Sequence, residues 1–233
     1  MQSNNAADLT DKVEVLYQDS NVMVVNKPAG LTMHAKNSDD LNQTVQSIFA
    51  EQLPKQGDPL RRGVVHRLDK DTSGVVVLAK NQKTLEYLQA QFAARTVGKQ
   101  YYTLVWGHLK QTRARIELPI RRSTKAPNIM SIHQDGKQAI TEYVIKSEYR
   151  DYSLVDIKLL TGRTHQIRVQ FAHLGHPVVG DKLYGGRSVP EGLTRQFLHA
   201  YKLSIVLPGD NKPTTFEAPL PSDLKVFLDS INE

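Results

Sequence analysis

The densest run of reactive side chains is Arg61-Arg62-Gly63-Val64-Val65-His66-Arg67-Leu68-Asp69-Lys70-Asp71-Thr72-Ser73-Gly74, in which seven of fourteen residues are ionisable, counting His66. It runs into the β-branched stretch Val75–Leu78 and carries turn chemistry at Thr72-Ser73-Gly74, so it reads as a loop fixed by a sheet, where functional side chains tend to lie. An aspartate on such a loop beside an arginine stays a carboxylate and is available as nucleophile or base. The same residues also suit a salt-bridged structural turn, and spacing alone leaves both readings open.

Two further clusters lie downstream. In Leu160-Thr161-Gly162-Arg163-Thr164-His165-Gln166-Ile167-Arg168, Gly162 turns the chain out of a strand, and Thr161 or Thr164 is expected to cap the helix that follows. Arg163 and Arg168 then sit at its entrance and in its body, where guanidinium groups hold carboxylate or phosphate; solvated arginines on a capped helix are the plainer reading. In the third cluster, His173 to Gly185, the residues His173, His176 and Asp181 join His165 as a weak metal candidate. Gly175 and Pro177 interrupt any helical spacing of ligands, so backbone-satisfying histidines in a turn are the better expectation, and no metal is expected. The chain has no GxxxxGK[ST], GxGxxG or GxSxG loop, so no nucleotide cofactor is expected either.

The elements that must position these clusters follow from periodicity. Strands are expected at Val13–Tyr17, Val22–Val25, Val75–Leu78, Lys99–Val105, Ala114–Ile120, Ala139–Tyr149, Tyr152–Leu160, Leu198–Val206 and Thr214–Glu217. Helical spacing marks Leu41–Leu53, Gln82–Ala94, Thr164–His173 and a last helix opened by Pro221. Strands dominate without a repeated βα alternation, which predicts an α+β fold around a mixed, mostly antiparallel, bent sheet flanked by helices. No composition break marks a linker. Residues 1–12 read as a flexible tail and residues 13–233 as one domain.

Composition narrows the function classes. The 233 residues are 39% hydrophobic and 23% charged, an ordinary globular balance, with no apolar run long enough to span a membrane. The start is polar and lacks the apolar core of a secretory signal, so a cytoplasmic location is expected. Without cysteine, disulfides, thiolate metal sites and cysteine nucleophiles are excluded. The net charge of +6 is uneven: residues 61–125 carry 14 Lys/Arg against 4 acids, whereas residues 1–60 carry 4 against 8. A basic middle between acidic ends attracts a polyanion, which makes nucleic acid a candidate partner.

The motifs together resemble the RluA family of RNA pseudouridine synthases. His66 to Gly74 is similar to the HRLDxxTSG signature, Asn26-Lys27-Pro28-Ala29-Gly30-Leu31 to NKPxGL, Lys99-Gln100-Tyr101 to KxY, and Thr161 to Arg168 to TGRxHQIR. Gly175-His176-Pro177, Gly180-Asp181, Tyr184-Gly185 and Leu198-His199-Ala200 resemble later segments, in the family's order, from about Val13 to Leu224. The resemblance implies the pseudouridine synthase fold with a central active-site cleft, and isomerisation of uridine in transfer or ribosomal RNA to pseudouridine without metal or cofactor. It implies Asp69 as nucleophile, Tyr101 packed against the flipped base, Arg168 as the basic partner of the aspartate, and Arg67 filling the space the base leaves. Arg163, His165, Gln166 and Ile167 are carried as residues shaping the substrate site. An S4-type RNA-binding domain is not expected, since only 12 residues precede the first strand; a monomer recognising RNA through the catalytic domain is the expectation. A catalytically silent RNA-binding protein of the same fold is the alternative, and a hydrolase pairing Asp69 with Asp71 or Asp181 is a third reading.

Overall fold

A computed structural model of the chain describes residues 13–34, 44–56, 61–124, 126 and 128–232; the expected tail, residues 1–12, lies outside them. Two compact units emerge. The first takes the chain up to Val97 together with Lys202–Pro219, and the second takes Gly98–Tyr201 together with the residues from Leu220 on.

In the first unit β1 (Glu14–Gln18), β2 (Val22–Lys27) and β3 (Ser73–Ala79) pair antiparallel in that order, with Lys27 opposite Gly74. Every residue of β3 is buried, as a continuous Val-rich run requires of a strand covered on both faces. The strand β10 (Leu198–Val206) neighbours β3, and β11 (Pro213–Glu217) pairs antiparallel with Lys202–Val206. Helix α2 (Gln82–Ala94), with the span its periodicity predicts, is capped by the Asn81 side chain, which accepts from Thr84 N at 2.9 Å. Its Leu88 and Phe92 pack on Val22, Val24, Val75 and Val77.

The helix expected over Leu41–Leu53 is shorter. Residues 41–43 lie outside the described ones, and α1 (Val45–Ile48) gives way to a single 3₁₀ turn, Ala50–Gln52. Thr44 fixes its start through a reciprocal capping box with Ser47, while Thr32 and Met33 carbonyls take the first two helical N–H groups. Pro54 then holds Leu53 extended.

In the second unit the order is β10, β4 (Gly98–Trp106), β9 (Tyr152–Leu159), β8 (Ile140–Glu148) and β5 (Arg113–Glu117), with β4–β9, β9–β8 and β8–β5 all antiparallel. The single strand expected over Ala114–Ile120 is broken. Pro119 has no N–H for a ladder, so β5 stops at Glu117 and Ile120 starts a separate ribbon of β6 (Ile120–Arg122) and β7 (Met130–Ile132). Helix α3 (Gln166–His173) and the C-terminal α4 (Ser222–Ser230) complete the unit, α4 burying Leu224 and Phe227 against Leu104, Val179, Leu193 and Phe197.

Candidate active site

The first unit supplies the loop that carries Arg67 and Asp69. Three bonds place it before β3. Lys27, fully buried at the end of β2, donates from Nζ to the carbonyls of Pro28, Leu31 and Lys70, each at 2.9 Å. Gly30 N donates to the same Lys70 carbonyl at 3.0 Å, and Thr72 N closes a turn on the Asp69 carbonyl at 3.1 Å. A charge with no exposure is tolerable because three carbonyl dipoles replace its water. Asp69 is thus half-buried at the head of a pinned turn, next to the buried Leu68, while Arg67 is exposed. The preceding His66 is structural: its Nε2 accepts from Val77 N at 3.2 Å, and its ring stacks on Phe92 at 4.6 Å.

In the second unit the sheet register places Tyr101. Directly opposed residues share a face, so Tyr101 of β4, Ile157 of β9 and Tyr143 of β8 form one row. Helix α3 covers that face, Phe171 packing 5.7 Å from Tyr143 and Gln170 accepting from Thr141 Oγ1 at 2.6 Å. Tyr101 is 8% exposed. Its neighbour Tyr102 points to the opposite face, where it stacks on Tyr201 at 4.0 Å; burial and the Asp156 carboxylate push the Tyr201 hydroxyl up. An added Cβ on Gly162 would lie 3.8 Å from Lys99 Nζ, which puts the Gly162-Arg163 turn by the start of β4.

The expectation that Thr161 or Thr164 caps α3 is corrected. The helix starts at His165, held in the left-handed region at φ 54°, with no side-chain cap. Thr161 bonds the buried amide of Gln166 instead. That amide is satisfied four times: Oε1 accepts from Thr161 Oγ1 (2.8 Å) and Arg163 N (3.0 Å), and Nε2 donates to Ile140 O (3.0 Å) and Thr141 Oγ1 (2.9 Å). Gln166 therefore ties the turn and the helix to β8. Arg163 is half-buried and donates from Nε to the Gln138 carbonyl at 3.0 Å; Ile167 is buried at 3% exposure.

Arg168 is held by a residue thirteen positions on. Its Nε and Nη2 bond the two oxygens of Asp181 at 2.6 and 3.0 Å, and Asp181 Oδ1 also accepts from Leu183 N (2.9 Å) and Tyr184 N (3.0 Å). Burial pushes the Asp181 carboxyl up, but the Arg168 guanidinium and the two amides outweigh it and hold the group below its ordinary value. The Tyr184 ring lies 5.2 Å under the Arg168 guanidinium, and its hydroxyl shares a 2.8 Å bond with His165 Nδ1 while accepting from Met130 N. His176 Nδ1 donates to the Trp106 carbonyl at 2.9 Å, so His165, His176 and Asp181 of the weak metal candidate serve other partners. Among the described residues no three such groups converge.

The structure thus brings Arg67 and Asp69 together on one pinned loop, and Arg163, Ile167 and Arg168 on one helix entrance. The reading from the residues missed Lys27 as an anchor and Tyr184 as the floor under Arg168. A lysine in a strand reads as solvated until its burial is seen; only the adjacent Pro28 and Gly30 hinted that backbone carbonyls would turn inward there.

Comparison with known proteins identifies the family. The sequence model described as RNA pseudouridylate synthase matches residues 21–173. An uncharacterized RNA pseudouridine synthase of Chloroflexus aurantiacus is 41% identical over 209 residues, covering 89% of this chain and 66% of that protein. Ribosomal large subunit pseudouridine synthase D of Xanthomonas campestris is 38% identical, covering 98% and 72%. The solved structure of human RNA pseudouridylate synthase domain containing 1 superposes with a TM-score of 0.73 at 26% identity, covering 100% of this chain and 98% of that one. The chain belongs to the RNA pseudouridylate synthase family, whose reaction is the isomerisation of uridine to pseudouridine within RNA. The α+β pseudouridine synthase fold and the family resemblance expected from the motifs are both borne out.

Proposed function

We propose that this chain converts specific uridines of ribosomal or transfer RNA to pseudouridine, with Asp69 as the nucleophile. The observation that carries the assignment is the turn starting at Asp69, fixed by Lys27 at the edge of the fully buried β3. In the reaction the bond between uracil N1 and ribose C1′ breaks, the base turns, and C5 bonds to C1′. N1 gains a proton, and C5 loses one to solvent. The Asp69 carboxylate attacks either C1′ or the base and is released at the end.

Tyr101, buried on its strand, packs against the extruded base, and Arg168, steadied by Asp181, supplies positive charge beside the reacting groups. Extrusion costs a few kcal/mol of lost stacking; Arg67 offsets part of it by filling the vacated space and reaching phosphate. Arg163 and Ile167 shape the substrate site. The basic stretch from 61 to 125 adds sequence-independent attraction for phosphates. The names of the Xanthomonas, Xylella and Yersinia relatives favour large-subunit ribosomal RNA as target. We read residues 13–233 as one catalytic domain of a cytoplasmic monomer that works without a cofactor.

The test is release of tritium from RNA labelled at uracil C5, comparing the wild type with Asp69→Asn. Release by wild type alone, with RNA affinity kept within a few-fold in the variant, supports the assignment. No release by either protein, on RNA from cells lacking the gene, favours a silent RNA-binding protein; loss of RNA binding in Asp69→Asn overturns the role given to Asp69.

A further inference from the structure

An open cleft of about 420 Å³ lies within the first unit, between the Arg61–Arg67 segment and the first turns of α2. That volume falls in the ~300–1,000 Å³ range of small-ligand sites. Arg61, Arg62, Arg67, Gln82, Gln89 and His34 are among its lining residues, and among the described residues that line it none is acidic. The first turn of α2 also carries no acid.

Two of these arginines are uncommitted. Arg67 is exposed, and neither it nor Arg62 makes a hydrogen bond or ion pair among the described residues. Arg62 Nε and Gln82 Oε1 are moreover covered atoms with no partner, a donor and an acceptor left unsatisfied beside the same cleft. Leaving such groups unpaired costs on the order of 1–3 kcal/mol each. Rotation of these half-buried side chains about their outer torsions would turn both atoms to a ligand. The amide nitrogen of Gln82 is already held by Glu86 at 2.7 Å, which leaves its oxygen as the group seeking a donor.

A ligand that relieves both atoms must present an anionic acceptor to Arg62 and a hydroxyl or N–H donor to Gln82. A ribonucleotide does so, with phosphodiester oxygens and a ribose 2′-hydroxyl on one unit. Val64, Val65 and Leu85 add apolar wall against which a base can rest. Arg67 belongs to the cleft and stands two residues before Asp69, so a strand held here continues toward the turn that carries the nucleophile. We propose that this cleft is a subsite for a single-stranded ribonucleotide flanking the modified uridine, an inference that rests on the function proposed above.

The test measures binding of a fluorescent single-stranded oligoadenylate of about eight nucleotides, a usual length for one such site. It contains no uridine, so binding is independent of turnover. Arg62→Ala should weaken binding about tenfold, the usual effect of losing a charged hydrogen bond, and should flatten the salt dependence by about 0.7 in log–log slope. Gln89→Glu places a carboxylate in the cleft from an exposed helical position, where folding is unaffected, and should weaken binding likewise. Lys225→Ala, on α4 of the other unit, should leave it unchanged.

Binding within twofold of wild type in both Arg62→Ala and Gln89→Glu overturns the subsite. Equal binding of the deoxyribose oligomer overturns the hydroxyl contact. If inorganic phosphate binds as tightly as the oligomer, the cleft is an anion site and not an RNA subsite. Failure of tritium release by the wild type, with oligoadenylate binding still sensitive to Arg62, strikes the proposed reaction alone; normal release with insensitive binding strikes the subsite alone.

Discussion

The ammonium of Lys27 bonds the carbonyl of Lys70, the residue that follows Asp69, across forty-three positions of sequence. One buried cation thereby joins the Asn26–Gly30 turn to the loop that carries the nucleophile, because Gly30 N donates to the same carbonyl.

Lys27→Met keeps most of the side-chain volume and removes the charge. It takes the ammonium from the Pro28 and Leu31 carbonyls and leaves the Lys70 carbonyl with Gly30 N, at a cost of about 2 kcal/mol or more. Urea denaturation should show a lower midpoint with an unchanged slope. Turnover per folded molecule should drop tenfold or more, since misplacing a reacting group by an ångström costs rates of that order. A wild-type midpoint would show that the ammonium does not hold the loop.

The Arg168–Asp181 pair makes a prediction about acid. Asp181→Asn keeps the shape but strands a buried guanidinium, at about 3–5 kcal/mol. Because Asp181 titrates below its ordinary value of 3.8, the stability it contributes is complete above that value and is lost as the pH falls through the lower, folded-state value. Thermal unfolding of both proteins should therefore show a wide gap in Tm near neutrality that closes as the pH drops below 3.8. A gap independent of pH would mean that the lost contribution is packing and not charge.

Much of the fold was legible because the local signals agree with the tertiary ones. The Val75–Leu78 run and the Leu88 and Phe92 face of α2 need no distant partner to be recognised, and the Leu198–Val206 span was read correctly for the same reason. The misread elements depend on distant groups. The three residues of β7 take their pairing from β6 and a bond from Tyr184, fifty-four positions on, neither of which appears in their own periodicity. At the candidate site the loop carrying Asp69 was legible from its density of charge. The hold on it was not, because Lys27 and Asp181 acquire their partners only when strands and loops far apart in sequence come together.

Gln166 shows the same limit and offers a reversible test of it. Thr161 reads as a cap, yet its hydroxyl donates to the Gln166 amide that secures Arg163 and α3 on β8. In Gln166→Glu one carboxylate oxygen keeps the bonds from Thr161 and Arg163, while the other faces the Ile140 carbonyl, where only a donor fits. The variant should lose about 3 kcal/mol at neutral pH, the cost of an unmade buried bond and a buried charge. Protonation restores a donor, so burial raises the folded-state pKa of the new carboxyl above its ordinary value of about 4.3. The rescue is complete below that ordinary value and is lost as the pH rises through the folded-state one. Tm differences from wild type across this range should therefore shrink toward acid, opposite in residue chemistry to Asp181→Asn but equal in direction. A third variant, Gln166→Leu, separates the two causes: it has neither charge nor proton, so its deficit should stay constant with pH.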